Sequence, residues 1–467
     1  MAIVLSLCAA YVVYCLATNP AGPITTPDSI HYLNVSPIVP LGYPFFLKIA
    51  GARASIVAQP IVFGAALACL GHEIVRTSKS TWLAVAVVAG TIAVPQIREF
   101  HASILSESLF LSLLIVFLAL GVRFTYHPSW HLMVLVATAA GAAATVRRTG
   151  FALVPVMLLM VLIERHRLKG SQPALFFVAA VAPFAFLVGA EQAAAPVVHA
   201  GQSSSLMGRH LFAKAALIEA PPAAPSADPL RRSLDAHLED SYAPIRALLA
   251  QAPADVRAVL SIYYETCLQG GCVDRSRGLM PDRSEPEQTA TLGTAGLARI
   301  RRAPLAFARL TALHYGSLWT VNRLRHPDTA RALNDFIASH RPLPFEREAF
   351  SLQPDRTLGF QPAPAVRYLQ LGIFVVALVT GALAVVGCTA SVWTPRLPPA
   401  FAVAAVSALA AHGGLILTAL LAAGFTRFML GLWPAIVLAC AFGALATLQE
   451  IRRSGESSTG DQEFRSL

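Results

Sequence analysis

SESLFLSLLIVFLAL, residues 106 to 120, carries one ionisable side chain in fifteen, and it sits at the second position. A bilayer's hydrocarbon core, about 30 Å thick, is crossed by roughly 20 apolar residues as helix, with about 17 as the lower bound. The run is therefore predicted to span the membrane from 107 to 123. Working outward, nine more stretches satisfy the same reading: 2 to 18, 54 to 71, 81 to 97, 131 to 147, 149 to 164, 173 to 190, 366 to 388, 399 to 422 and 427 to 447. The spans at 131 to 147 and 149 to 164 are short and adjacent, which predicts a tight hairpin at one membrane face. The expected fold is an all-α polytopic membrane protein of about ten transmembrane helices.

Composition agrees. The 467 residues are 55% hydrophobic and 13% charged, with a mean hydropathy of +0.58. A soluble domain has roughly 25% charged residues, so much of this surface does not face water. Disordered, coiled-coil and collagen classes are excluded. The net charge of +10 comes from 36 Lys and Arg against 26 Asp and Glu, scattered between apolar runs and not gathered on one face. No nucleic-acid partner is expected from that pattern.

The chain divides into an N-terminal transmembrane module at 1–190, a polar stretch at 191–365 with most of the acidic residues, a C-terminal transmembrane module at 366–447 and a polar tail at 448–467. The start has no basic region ahead of its apolar run, so a cleaved signal peptide is not expected. With both termini in the cytoplasm, Arg76, Lys79, Arg123, Arg165, Arg167, Lys169, Arg396, Arg452 and Arg453 fall inside, nine bases against six (Lys48, Arg53, Arg98, Arg147, Arg148 and Arg427) in short outer loops. The positive-inside bias thus favours that orientation in an inner, cytoplasmic membrane. It turns the first loop, the 191–365 region and the 424–427 turn outward together. Residues 303 to 321 are apolar enough for an eleventh span, but Arg309 and His314 within and Arg299, Arg301 and Arg302 before favour an interfacial helix. Amphipathic pieces at 231 to 250 and 254 to 269, with Pro-rich joints, predict a mostly helical outer cap.

Cys8, Cys15, Cys69, Cys388 and Cys440 lie in predicted spans, where a thiol behaves as a small apolar group. Cys267 and Cys272, in CLQGGC, are expected to form a disulfide if the long loop faces an oxidising exterior.

The first outer loop reads TNPAGPITTPDSIHYLNVSPIVPLGYPFFLKIAG. Asp28 follows a proline and precedes a short helix-competent run. It is placed either as that helix's N-cap or as an acid at the membrane surface able to accept a proton from an attacking group. PDSIHYL, PLGYPFFL, SESLFLSLLIVFLAL and VRRTGFALVPVMLL, in that order, resemble the polyprenyl-phosphate-sugar-dependent glycosyltransferases of the GT-C superfamily. The likeness is to bacterial relatives of the dolichyl-phosphate-mannose protein mannosyltransferases and of the lipid A aminoarabinose transferases. It covers roughly residues 20 to 165, with a looser match in TRFMLGLWPAIVL at 426 to 438. Where many members have two adjacent acids, this chain has Asp28 and Ser29. The resemblance implies a membrane transferase whose catalytic acid is Asp28, followed by an aromatic-proline segment at Gly42, Tyr43 and Pro44. It also implies a functional Glu107 at the start of the fourth span and Arg147 with Arg148 before the sixth.

A donor of that kind presents phosphate at the interface, and cations at an outer span end are suited to it. Arg147, Arg148 and Arg427 are such cations, either gripping donor phosphate through the planar guanidinium or snorkelling to headgroups. Glu107 is either a second functional acid or the carboxylate of a capped first turn, with Ser106 or Ser108 as cap. His31, Tyr32, Tyr43, Glu99 and His101 are possible substrate contacts. Glu99 and His101 alone do not make a metal site, and a divalent metal stays open as a cofactor. His412 is an ionisable group within a span, hence a candidate, or a neutral histidine at a helix crossing. No P-loop, GxSxG, HExxH or CxxC pair occurs.

The expectation is an inverting glycosyltransferase at the outer face of the membrane, moving a sugar from a polyprenyl-phosphate donor to a lipid, glycan or protein acceptor, with membrane lipids around it. A lipid-linked-sugar transporter and a non-catalytic scaffold are the alternatives.

Overall fold

The structure is a computed structural model that describes residues 1–26, 28–167, 170, 172–199, 206–222, 228–251, 260, 263–264, 267–268, 272–319, 364–394, 396–422 and 426–464. Every named element in the described residues is helical, and the single β contact is an isolated bridge between Ile24 and Ser103.

α1 (Ala2–Thr18) leads through α2 (Ser29–Leu33) and α3 (Gly42–Ala50) into α4 (Ala52–Ser78), α5 (Thr81–Ile92), α6 (Pro95–Ala102), α7 (Ser106–Tyr126) and α8 (Trp130–Val146). A 3-10 turn, Arg148–Ala152, precedes α9 (Leu153–Glu164) and α10 (Gln172–Val198). α11 (Met207–Ala215), α12 (Pro229–Gln251), α13 (Cys272–Arg277), α14 (Glu285–Arg302) and α15 (Pro304–Leu318) belong to the polar region. α16 (Pro364–Trp393), α17 (Pro399–Leu421), α18 (Thr426–Leu430) and α19 (Trp433–Phe464) complete the chain.

Local chemistry sets several boundaries. The Ser80 and Ser129 hydroxyls accept from the Leu83 and Leu132 amides, capping α5 and α8. Pro95 forces Val94 into extended backbone, so the predicted span at 81 to 97 is instead two helices bent by 63°. Ser284 and Glu287 form a capping box at α14.

Six helices are long and apolar enough to cross a membrane, and seven if the bent pair is one span. α1 and α8, of 17 residues each, are shorter, and the expected span at 149 to 164 holds only 12 α-helical residues after its 3-10 turn. α10 and α16 leave Phe177, Phe186, Leu378 and Val385 exposed, an apolar surface suited to lipid. This is a multi-pass membrane architecture. The polar tail continues α19 as far as Phe464.

One apolar core runs from Val4 in α1 to Phe442 in α19. A second, built on Phe212, Leu238, Tyr264, Leu292 and Ile300, organises the polar region as a helical subdomain. Cys267 and Cys272 are disulfide-bonded within it, their Cα atoms 4.7 Å apart. α15, the segment considered as an eleventh span, joins the two cores through Leu310 on one side and Leu318 on the other. The subdomain is clasped to the end of α17 by buried Lys214, whose ammonium donates to the carbonyls of Ala419 and Ala422, each at 2.7 Å. These are carbonyls a helix C-terminus leaves without partners.

The helices alternate between two ends. The loop end carries α2, α3, α6 and the subdomain. At the other end lie the exposed indoles of Trp82, Trp130 and Trp393.

Candidate functional site

At the loop end the first loop is stitched to the start of α7. The Ile24 amide donates to the Ala102 carbonyl at 2.8 Å and the Ile104 amide to the Ile24 carbonyl at 3.0 Å. Ser29 Oγ donates to the Ile104 carbonyl at 2.9 Å. These bonds hold α2 in place, with Asp28 at its N-cap position; no side-chain cap bond forms there.

One turn along α2, Tyr32 is buried. Its hydroxyl lies 2.9 Å from Ser106 Oγ, and its ring packs edge-on against Tyr43 with centroids 4.9 Å apart. Tyr43 is fully buried and donates to Gln59 Oε1 at 3.2 Å. Gln59 Nε2 in turn donates to the carbonyls of His101 and Ser103, at 3.0 and 3.2 Å.

Arg147 completes this layer. Nη1 lies 3.0 Å from Glu107 Oε2 and donates to Ser106 Oγ at 3.2 Å, and its guanidinium stands over Phe428, 5.5 Å from the ring centroid. The Tyr32 hydroxyl therefore feels several charges at once. Burial pushes its pKa up to about 12, the carboxylates of Glu107 and Asp28 add to the rise, and Arg147 with the Ser106 hydrogen bond offsets part of it. Tyr32 stays protonated and serves as a hydrogen-bonding hydroxyl. Glu107 and Arg147 thus meet at Ser106 beside the Tyr32 hydroxyl, and Asp28 heads the helix that carries Tyr32.

Arg148, next in sequence, turns elsewhere. Its Nη1 is 2.7 Å from Glu191 Oε2 in α10, and Glu191 Oε1 accepts the Leu41 amide at 3.1 Å. One carboxylate so joins the α8–α9 hairpin, the entry to α3, and α10. The hairpin is as tight as the sequence predicts. A Cβ on Gly150 would stand 2.5 Å from the Ala144 amide nitrogen, and one on Gly42 would stand 2.7 Å from the Thr145 carbonyl oxygen. Only glycine permits either approach.

The other predicted residues divide clearly. His101 is fully buried, its ring packed against Phe63 and Tyr11 with Nδ1 2.7 Å from Ser108 Oγ, so it sits in the core. Glu99 is exposed on α6, and His31 is half-buried on α2. The N-cap of α7 is Leu105, with no side-chain cap bond; Ser106 and Ser108 tie to Tyr32 and His101 instead, and Glu107 is the partner of Arg147. The side chain of Arg427 lies outside the described residues. His412 is held by Thr380 Oγ1 at 2.8 Å from Nε2 and by Tyr315 at Nδ1, as a histidine at a helix crossing. Among the described residues no three His, Cys, Asp or Glu gather as a metal site.

Sequence reasoning missed Gln59 and Glu191. Each is a polar side chain in a long, mostly apolar helix, the signal by which either could have been found. No family model, curated protein or solved structure matches the chain.

Proposed function

We propose that the protein is an inverting membrane glycosyltransferase using a polyprenyl-phosphate-linked sugar, with its site at the loop end. The observation that carries the reading is the Arg147–Glu107 ion pair joined through Ser106 to Tyr32, on the short helix that Asp28 heads, with Arg148 next in sequence and 46% exposed. In this reading the acceptor oxygen or nitrogen attacks the anomeric carbon and the bond from that carbon to the phosphate oxygen breaks. Asp28 takes the acceptor's proton, and polyprenyl phosphate leaves with the bonding electron pair. Arg148 and Arg147 stabilise the charge gathering on the departing phosphate. The isoprenoid tail lies in the bilayer, and the helical subdomain above α17 receives the acceptor.

Ten passes serve this reading. Its crossings are α1, α4, the α5–α6 pair, α7, α8, α9, α10, α16, α17 and α19. Arg76, Arg123, Arg165, Arg396 and Arg452 fall at the tryptophan end, which the positive-inside bias assigns to the cytoplasm; the loop end then faces the exterior.

The test uses purified protein in nanodiscs with a polyprenyl-phosphate sugar labelled in the sugar. Free polyprenyl phosphate is released by the native chain and not by Asp28→Asn, while both retain the donor. Equal release by the two proteins removes Asp28 from the reaction, and no release with any donor and acceptor pair tried against the native chain removes the enzyme reading.

A further inference from the structure

At the tryptophan end, far from Asp28, a cleft of about 600 Å³ opens between the last turns of α4 and α7 and the first turn of α8. Its walls carry Arg76, Arg123, His127 and His131, with Ser129 at the head of α8 and Leu132 and Leu135 below. α7 has 21 residues and so is about 31 Å long, which sets this cleft a bilayer's thickness from Glu107. Nothing in the proposed transfer uses it.

The charges in the cleft do not balance. Arg76 and Arg123 share one carboxylate, Glu73, and each approaches it only to 3.8 Å. That is longer than a hydrogen bond, so Glu73 holds both guanidiniums by charge and leaves their N–H donors available. The arginine side chains are 45% and 38% exposed while Glu73 is 9% exposed, so the positive groups face the opening and the acid lies behind them. The amino end of α8, where peptide N–H groups and the helix dipole favour an anion, points at the same space.

The shape is amphiphilic. Trp130 stacks on His131 with ring centroids 3.5 Å apart at the rim, and Leu135, half exposed, continues the wall along the lipid-facing side of α8. A group seated between the arginines therefore has water on one side and an apolar track on the other. We infer that this cleft is a binding site for a phosphate-bearing anion, seated between Arg76 and Arg123 within reach of His127 and His131. An anionic phospholipid headgroup, its acyl chain along Leu132 and Leu135, supplies that chemistry, and so does a soluble phosphate.

The test measures ligand binding by native mass spectrometry and by thermal shift of the full chain in detergent. The probes are phosphatidylglycerol, phosphatidylcholine and inorganic phosphate. Phosphatidylglycerol is expected to bind at least tenfold more tightly than phosphatidylcholine. Inorganic phosphate competing at millimolar concentration identifies the phosphate itself as the recognised group, and failure to compete assigns the site to the lipid; either result supports the site. Arg76→Gln with Arg123→Gln is expected to lose at least tenfold in affinity. Because that variant strands Glu73, a second one works in the opposite direction. Glu73→Gln leaves both arginines without their carboxylate and is expected to tighten binding severalfold, whereas a purely structural role for the trio predicts no gain. Arg453→Gln, at an exposed arginine of the same end, is the control and should bind as the native chain does. Equal binding of the two lipids together with no response to phosphate overturns the proposal, as does unchanged affinity in both cleft variants.

Discussion

Arg147 and Glu107 give the most exacting test of the loop end. Glu107 is 4% exposed and Arg147 19%, with 3.0 Å between Nη1 and Oε2. Removing one partner of a buried ion pair leaves the other charge without compensation, at a cost of about 3–5 kcal/mol. The two halves of the pair are not equivalent here. Arg147→Met strands a nearly inaccessible carboxylate, so it belongs near the upper end of that range. Glu107→Gln leaves a guanidinium that still has Ser106 Oγ, the face of Phe428 and some water, and belongs near the lower end or below it. The double variant strands neither charge. It should therefore cost less than Arg147→Met alone, giving a coupling of about 2 kcal/mol, within the range seen for residues in direct contact. Denaturant unfolding of the four proteins in the same micelle, followed by loss of helical ellipticity, measures the cycle. Strictly additive single variants, with coupling below about 0.5 kcal/mol, would refute the claim that this pair fixes α8 to α7.

Gly150→Ala places a methyl 2.5 Å from backbone that cannot move aside, so a loss of at least the 1–3 kcal/mol typical of overpacking is expected in the same unfolding assay. Cys267→Ser with Cys272→Ser opens a small covalent loop and should cost about 2 kcal/mol, and in the native chain these two thiols should take up a maleimide label only after reduction. The clasp over α17 is expected to weaken in acid. Burial, followed by the Lys214 and Arg209 charges, pushes His210 down to about 4 from its ordinary 6.5, against a smaller opposing pull from the Leu421 carbonyl; the same burial and Lys214 lower His314 well below that ordinary value. Both rings are neutral when folded and take up protons when unfolded, so their stabilisation is complete above pH 6.5 and fades as pH falls towards 4. Protease cleavage within the subdomain should rise through that window, and His210→Asn should flatten the rise.

Much of the frame was legible because membrane helices announce themselves by length and apolarity, which are local properties. Each of the ten apolar stretches contains helix, α1 at the bounds read from its sequence. What was misread depended on one residue overriding an apolar run. Pro95 breaks the run at 81 to 97, and the RRTG turn takes the first residues of the run at 149 to 164 into a 3-10 turn. The site was less legible for a different reason. Residue types and span ends brought Asp28, Arg147 and Arg148 to attention, but their partners lie far along the chain. Glu191 is 43 residues from Arg148, and Gln59 bonds carbonyls more than 40 residues away. No local pattern encodes such pairings. An outer arginine read as a phosphate ligand and one read as half of an ion pair look identical in sequence.

That distinction bears on how the two arginines divide the work. Arg147 is mostly enclosed and committed to Glu107, Ser106 and Phe428, so it serves chiefly to fix the Tyr32 layer. Arg148 is nearly half exposed and spends one Nη on Glu191, which leaves the rest of its planar fork towards the loop end. In the proposed reaction Arg148 is then the group that meets donor phosphate. Arg148→Lys separates the two roles, because an ammonium still neutralises Glu191 but cannot offer paired N–H donors to phosphate. Because a cation stays beside the buried Glu191 carboxylate, the variant should fold within about 1 kcal/mol of the native chain. It should also bind the lipid-phosphate donor about tenfold more weakly, equivalent to about 1.4 kcal/mol. Arg147→Lys should show the reverse balance, with the larger loss in unfolding. Native donor affinity in Arg148→Lys would mean that Arg148 only ties the hairpin to α10, and the phosphate grip would then have to come from another residue of the loop end.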